Sequence, residues 1–171
     1  MTFIADRLKR IKPSMTVCIN IKANALRAEG KDVLVLAAGE PDFDTPLNIR
    51  KAASEAMDAG QTRYVPGKGT PALQKAIQSK FLKDNNLHYD LDEIIVGVGG
   101  KHIIYNAMMA TINPNDEVII PAPFWVSYPD IVLLAEGRPV IVKCPESQNF
   151  KITPDQLEKN ITNKTKWLML N

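Results

Sequence analysis

The chain has 171 residues, of which 45% are hydrophobic and 23% charged, a composition typical of a globular domain large enough to bury a core. Its 21 basic and 19 acidic residues leave a net charge of +2, which is too balanced to favour a nucleic-acid or membrane partner. No stretch has the apolar core of a signal peptide or of a membrane span, and Cys18 and Cys144 are predicted to be reduced thiols in a cytoplasmic protein rather than a disulfide.

The first half of the chain is predicted to be mainly helical. Apolar residues at helical spacing, with stops at Pro13 and Gly30, predict two short helices near the N-terminus. The run DVLVLAAG at 32–39 predicts a short strand, and GEPDFDTP at 39–46 predicts a loop. The predicted helices of this half span 3–11, 17–29, 45–59 and 71–85.

From residue 93 onward, predicted strands and helices alternate. The strands cover 93–98, 117–120, 138–144 and 166–170, and the helices between them cover 101–112, 125–136 and 154–160. The strands lack polar alternation, which is typical of a parallel sheet covered by helices on both faces. In such a sheet the ligand loops follow the carboxyl ends of the strands, and the sequence stops just there, at Asn171. The chain is therefore expected to be the N-terminal part of a longer protein, or one of two chains.

The segment VGVGGKH joins a predicted strand to a helix through Gly99 and Gly100. Such a turn lets the backbone approach a ligand closely, and the N–H groups and dipole of the following helix attract an anion. The spacing departs from the P-loop and lacks the third glycine of the Rossmann fingerprint. A turn that needs glycine only for packing explains the pattern equally well. Lys101 opposes the helix dipole, which either a bound anion or ordinary exposure would explain.

Three further loops hold candidate ligand residues, each with a purely structural alternative. Trp125 follows a strand end, where an indole can stack on a planar ring, although a lone tryptophan is more often part of a core or interface. Gly39 lies in a stiff loop that either presents N–H groups to a carboxylate or serves as a rigid connector. Tyr64 either donates its hydroxyl to a phosphate or is a half-buried surface tyrosine. His88 and His102 are isolated, so no metal site is predicted.

The chain resembles the class I/II aminotransferases in four segments, which are IKPSMTV, LAAGEPDFDTP, RYVPGKGTPALQKAI and VGVGGKHIIYNAMMATINPNDEVIIPAPFWVSYPDIV. The resemblance covers essentially the whole chain and is greatest to bacterial aspartate aminotransferases, some of which also use prephenate. It implies an α/β protein with the aspartate aminotransferase fold (fold type I) and the cofactor pyridoxal 5′-phosphate (PLP). Residues 1–46 would join the small domain and close over substrate, and 47–171 would begin the mostly parallel-sheet large domain.

The same resemblance implies roles for individual residues at the cofactor. Gly99, Gly100 and Lys101 match the turn that binds the PLP phosphate through backbone N–H groups. Trp125 matches the aromatic residue that stacks on the cofactor ring beside the substrate. Tyr64 matches a tyrosine that reaches the phosphate in the neighbouring subunit, which implies a homodimer with shared active sites.

Four residues match positions that bind the substrate in the family. Gly39 resembles the glycine whose backbone holds the α-carboxylate, and Lys101 matches a lysine that helps to hold the distal carboxylate of a dicarboxylic substrate. Lys12 matches the residue linked to prephenate use, and Thr16 lies in the segment that closes over substrate.

The resemblance implies amino-group transfer between L-aspartate and 2-oxoglutarate, giving oxaloacetate and L-glutamate, with prephenate to arogenate as a further reaction. The lysine that forms the Schiff base with PLP in this family has no match here, nor have its aspartate, asparagine and arginine companions. The 171 residues alone are therefore predicted to be inactive. The alternatives are a PLP aminotransferase for alanine or an aromatic amino acid, a non-catalytic fragment that binds a phosphate or a partner chain, and a nucleotide-binding module, which the incomplete fingerprint disfavours.

Overall fold

A computed structural model describes residues 3–37 and 39–171. Helices α1 to α6 span Met15–Ala28, Leu47–Asp58, Pro71–Asn85, Gly100–Thr111, Ser127–Leu134 and Pro154–Asn160. Strands β1 to β3 span Glu117–Ala122, Arg138–Lys143 and Thr165–Leu168. Short 3₁₀ helices cover Asp6–Arg10, Leu91–Glu93 and Glu146–Gln148.

The two helices whose predicted bounds are confirmed to the residue, α3 and α6, have the strongest local end signals. Before α3, the Thr70 hydroxyl accepts a hydrogen bond from the Leu73 N–H, and Asn86 ends the helix in the left-handed conformation at φ 53°. Before α6, Thr153 and Gln156 form a reciprocal capping box. Both helices have proline in the first turn, where its missing N–H costs no intrahelical bond.

Two predicted strands are wrong, because a strand needs a neighbour to pair with. Among the described residues of 32–39 and 93–98 the structure has no strand, and Ala38 lies outside the described residues. The Val33 carbonyl instead accepts two bonds from the Arg27 guanidinium, at 2.9 and 3.1 Å. The Val96 N–H donates to the Lys68 carbonyl at 3.1 Å. The predicted helix over 3–11 is also shorter, since only the 3₁₀ helix forms there.

The predicted parallel sheet is confirmed, with strand order β2-β1-β3 and both pairings parallel. Central strand β1 is buried on both faces. The core on one face joins residues of β1 with residues of α4 and α5: Met108, Ile112, Val118, Ile120, Ile131, Val132 and Ala135. On the other face Ile119 packs with Val142 and Cys144, beside Leu157 of α6. The sheet therefore has helices on both faces, as its apolar strands predict.

The amino end of the sheet is fastened by a buried carboxylate. Glu117, 2% exposed, opens β1 and accepts hydrogen bonds from Arg138 of β2 and from the hydroxyl of Thr162, the latter at 2.8 Å. These two hydrogen bonds, that of Arg138 first, lower the pKa of Glu117 below its ordinary value. Since Thr162 leads into β3, one side chain ties the starts of all three strands. The amino end is thus structural, and the loops at the carboxyl end are left for ligands.

Contacts divide the chain into two compact units, 1–38 with 101–171, which contains the sheet, and 39–100. The second unit holds α2, α3 and the 3₁₀ helix Leu91–Glu93. The domain division at residue 46 stays a prediction of the sequence. Within the part of the chain that the structure describes, no helix is both long enough and apolar enough to cross a membrane.

Candidate active site

The turn before α4 has the geometry of an anion-binding helix start. Gly99 has a φ of +81°, and its N–H is already used by the Gly97 carbonyl at 3.0 Å. The donors offered to a ligand therefore begin at Gly100, the first residue of α4, whose opening N–H groups have no acceptor within the helix. The first turn of α4 contains no acidic residue. This end of the helix therefore carries positive potential with no carboxylate to neutralise it.

The two glycines of this turn have open space where a side chain would stand. A Cβ built at Gly99 or Gly100 meets no heavy atom of the described residues within 4 Å, apart from its chain neighbours and, for Gly100, the backbone of α4 itself. A ligand can therefore approach the backbone itself. Backbone donors at a helix start are the groups that bind a phosphate in proteins, so the turn is a candidate anion site.

Lys101 lies against the face of an aromatic ring. Its Nζ is 4.8 Å from the ring centroid of Trp125, which is within the range of a cation–π contact. The indole also forms a T-shaped pair with the ring of Tyr128, with centroids 5.5 Å apart. Trp125 nevertheless stays 37% exposed, so it is not the core tryptophan of the structural alternative. An ammonium beside an accessible indole suits a ligand that has both a flat ring and negative charge.

Sequence reasoning missed the role of Asn171. Its side-chain oxygen accepts a hydrogen bond from the backbone N–H of Trp125 at 3.3 Å. Strands β1 and β3 are parallel neighbours, so the residues that follow them meet at one edge of the sheet. A polar residue just after the last predicted strand was the available signal, but the pairing of β3 with β1 was needed to find its partner.

The N-terminal candidates sit in a segment that is anchored to α5. The 3₁₀ helix ends at Arg10, whose guanidinium pairs with Glu136 at 3.1 Å just after α5. Lys12 follows in an exposed position, and Thr16 is partly buried in the first turn of α1. Both residues follow Arg10 within a few positions along the chain. Their roles toward a substrate stay predictions.

The remaining candidates belong to the unit 39–100. Tyr64 is fully exposed, so the alternative of a half-buried surface tyrosine is wrong. Gly39 has open space where a side chain would stand, with no described heavy atom within 4 Å of a built Cβ except its chain neighbours. Gly99 and Gly100 lie in this unit too, whereas Lys101 and Trp125 come together in the other.

The described residues form no metal-binding cluster, and the two cysteines are not paired. No group of three or more His, Cys, Asp or Glu side chains among residues 3–37 and 39–171 is arranged to hold a metal ion. Both cysteines are free, Cys18 exposed and Cys144 buried.

A hydrogen bond from Lys166 lowers the pKa of Asp116, the residue before β1. This shift, like that of Glu117, lies at the amino end of the sheet, opposite the Trp125 loop.

Comparisons with known proteins agree with the geometry. The sequence profile of the aminotransferases of class I and II matches residues 31–171. An aspartate/prephenate aminotransferase of Cereibacter sphaeroides is 55% identical over all 171 residues and 43% of its own length. An aspartate aminotransferase of Rhizobium meliloti is 50% identical over 98% of this chain and 41% of its own. The chain thus spans less than half the length of these curated relatives.

Solved structures give the same picture. An aspartate aminotransferase from Thermus thermophilus with maleate superposes with a TM-score of 0.94 at 42% identity, over 98% of this chain and 44% of its own. An aromatic aminotransferase from Pyrococcus horikoshii superposes less closely, with a TM-score of 0.82 at 37% identity, over 95% of this chain and 39% of its own. At these identities the likeness extends to the family and is more than a shared fold.

Proposed function

This chain belongs to the class I and II aminotransferase family, and we propose that the whole protein is a PLP-dependent aspartate aminotransferase. It would transfer the amino group between L-aspartate and 2-oxoglutarate, giving oxaloacetate and L-glutamate. The observation that carries the proposal is Lys101, which places an ammonium 4.8 Å over Trp125 at the start of the helix that follows the glycine turn. The names of relatives at 50 to 55% identity support the choice of aspartate.

The glycine turn would hold the phosphate of PLP. The N–H groups of Gly100 and Lys101 open α4 and would donate to phosphate oxygens, and the open space where a side chain of Gly99 would stand supports a close approach. The exposed indole of Trp125 would stack on the pyridine ring, leaving that ring oriented for reaction. When bound, PLP supplies the electron sink that stabilises negative charge at the α-carbon of the amino acid.

Lys101 would select dicarboxylic substrates. Its flexible side chain carries a compact positive charge, and the contact with Trp125 keeps that charge beside the ring. The distal carboxylate of aspartate or 2-oxoglutarate would pair with this ammonium, whereas alanine has no such group to offer. The backbone of Gly39 would hold the α-carboxylate, which all these substrates share.

A homodimer with shared active sites is proposed from the match of Tyr64 to the family tyrosine that reaches the neighbouring subunit. The side chain of Tyr64 is fully exposed, so its hydroxyl is accessible. In the proposed dimer its hydroxyl would donate to the phosphate bound by the neighbouring subunit. A cytoplasmic location stays a prediction of the sequence.

Prephenate is the second proposed amino acceptor, giving arogenate. Its support is the printed name of the Cereibacter sphaeroides relative and the exposed Lys12, which matches the family residue linked to this substrate. Prephenate is a 2-oxo acid with a further carboxylate, so a second lysine near the N-terminus is a chemically suitable partner.

The test compares two lysine variants of the whole protein. Lys101→Gln removes the ammonium over Trp125, and Lys80→Gln removes the matching ammonium that lies 5.4 Å from the ring of Phe81 in α3. We measure kcat/KM for aspartate and for alanine with 2-oxoglutarate fixed. Loss of one hydrogen bond between charged groups, worth about 1.5–3 kcal/mol, predicts a drop of about ten- to 150-fold for aspartate in Lys101→Gln.

The outcomes separate substrate choice from reaction class. Kinetics with alanine should change little in Lys101→Gln, and Lys80→Gln should match the wild type for both amino acids. If the wild type transaminates alanine or phenylalanine better than aspartate, the aspartate proposal is wrong while an aminotransferase remains. If the whole protein transfers no amino group after addition of PLP, the aminotransferase proposal itself fails.

A further inference from the structure

The segment that leads into the glycine turn is held by a close backbone contact from the loop before α3. The Val96 N–H donates to the Lys68 carbonyl at 3.1 Å. The next residue, Gly69, has a φ of +101°, and a Cβ built on it would lie 2.8 Å from Cγ2 of Val96 and 3.0 Å from its Cβ. Both the conformation and the distance require glycine at position 69.

Hydrogen bonds from Gln74 fix the chain two residues before Val96. The buried amide of Gln74 in α3 donates to the Leu91 carbonyl at 3.0 Å and to the Ile94 carbonyl at 2.9 Å. Gln74 is 8% exposed and Ile94 6% exposed, so the bond between them is shielded from water, and the bond to Leu91 is partly shielded. Both N–H groups of the amide are used, and the chain is fixed at residue 94 as well as at residue 96.

The Gly99–Gly100 turn begins three residues after Val96. Val96 is followed by Gly97, whose carbonyl accepts the Gly99 N–H at 3.0 Å. A side chain at position 69 would have to push Val96 away by about 0.6 Å, from 2.8 Å to the 3.4 Å of an ordinary contact. That exceeds the tolerance of roughly 0.5 Å within which a binding constellation has to be held. The displacement would reach the phosphate donors through only a few peptide units.

We propose that Gly69 and Gln74 are positioning residues, which fix the Gly99–Gly100 turn where its donors meet a phosphate. The inference rests on the proposed function, because it takes the phosphate of PLP as the ligand of the turn. Neither residue contacts the cofactor in this scheme. Gly69 acts by allowing the close approach of Val96, and Gln74 acts by holding the Ile94 carbonyl.

The test measures how much the phosphate contributes to binding, rather than catalytic activity. Dissociation constants of PLP and of pyridoxal, which lacks the phosphate, are determined by spectral titration of the whole protein, and their ratio is the readout. Loss of one hydrogen bond to a charged group predicts that Gly69→Ala and Gln74→Met each reduce the preference for PLP about tenfold or more. The affinity for pyridoxal should stay within about twofold, because the pyridine ring is bound elsewhere.

Matched controls lie close by in both cases. Gly67→Ala makes the same change two residues from Gly69, at a position with no described heavy atom within 4 Å of a built Cβ beyond its chain neighbours. Gln78→Met removes an amide one turn along α3 that donates to the Tyr89 carbonyl at 2.7 Å. Both controls should keep the wild-type ratio of the two dissociation constants.

Each outcome supports or overturns the proposal. An unchanged ratio in Gly69→Ala, or an equal loss of affinity for PLP and pyridoxal, refutes a positioning role. If Gly69→Ala does not fold, Gln74→Met decides on its own. A wild type that binds PLP no better than pyridoxal contradicts the phosphate site, and with it the proposed function.

Discussion

Two adjacent methionines of α4 offer a sharp test of which face of the helix supports the fold. Met108 is 1% exposed and belongs to the core between α4, α5 and the sheet, whereas Met109 is 42% exposed. Truncating a buried methionine to alanine costs about 2–5 kcal/mol, as lost transfer energy plus the cavity left behind. The same truncation of Met109 should cost about 1 kcal/mol or less, because much of its side chain already meets water.

The pair controls for everything except burial. Both variants delete the same atoms from neighbouring positions, and both gain the same slightly better helix propensity. Urea unfolding of the 171-residue chain, followed by far-UV circular dichroism, gives the two free energies of unfolding. For a chain of this length the expected loss in Met108→Ala corresponds to a fall in Tm of about 4–20 °C.

The reasoning is refuted if the two variants lose the same free energy of unfolding within about 0.5 kcal/mol. Such a result would mean that the face of α4 assigned to the core is no more buried than its neighbour. A change in the slope of unfolding against urea would instead point to an altered unfolded or native state, and the comparison would then be made by hydrogen exchange of α4.

Three further predictions concern stability and access. Folding lowers the pKa of Glu117, so its contribution to stability is complete above its ordinary pKa of 4.5 and is lost as the pH falls through the lower folded value. Urea unfolding between pH 6 and 3 should therefore show a free energy of unfolding that decreases with falling pH, and Glu117→Gln should reduce this decrease. Gly137→Ala should lower Tm in a thermal scan, because its Cβ would lie 2.8 Å from Cγ2 of Ile112 and overpacking costs about 1–3 kcal/mol; an unchanged Tm contradicts that packing. A thiol reagent should label Cys18 in the native protein but Cys144 only after denaturation, and equal labelling rates would count against the buried position of Cys144.

The candidate site residues could be nominated from the sequence because their signals are local. Two glycines before a helix suit an anion site, which needs only the conformation of the turn and the dipole of the next helix, and equally suit a turn that needs glycine for packing, so the anion site stays a prediction. The position of Trp125 beyond a strand end left open both a ring that stacks on a ligand and a core or interface tryptophan, and the structure has this side chain 37% exposed. The four segments of the family resemblance then implied PLP, and the family itself is confirmed by the profile over residues 31–171.

The wrong strand predictions have one physical cause. Residues 32–39 and 93–98 are mainly apolar, and 93–98 is rich in β-branched side chains, which favours extended backbone. A strand nevertheless exists only where a neighbour accepts its hydrogen bonds. In this chain the Val96 N–H bonds to the Lys68 carbonyl of a loop instead. Local pattern therefore specified the extended tendency of these segments and could not specify their partner.

By itself the sequence determined the ends of α3 and α6, whose capping signals lie within a few residues, and the parallel character of the sheet, whose apolar strands alternate with helices. The anion-binding role of the glycine turn stays a prediction. Tertiary structure alone decided that Lys101 lies over Trp125, that Asn171 holds the Trp125 backbone, and that Gly69 has to be glycine because Val96 lies against it. These contacts join residues far apart in the chain. Their geometry follows from how the elements pack, and no spacing along the sequence encodes it.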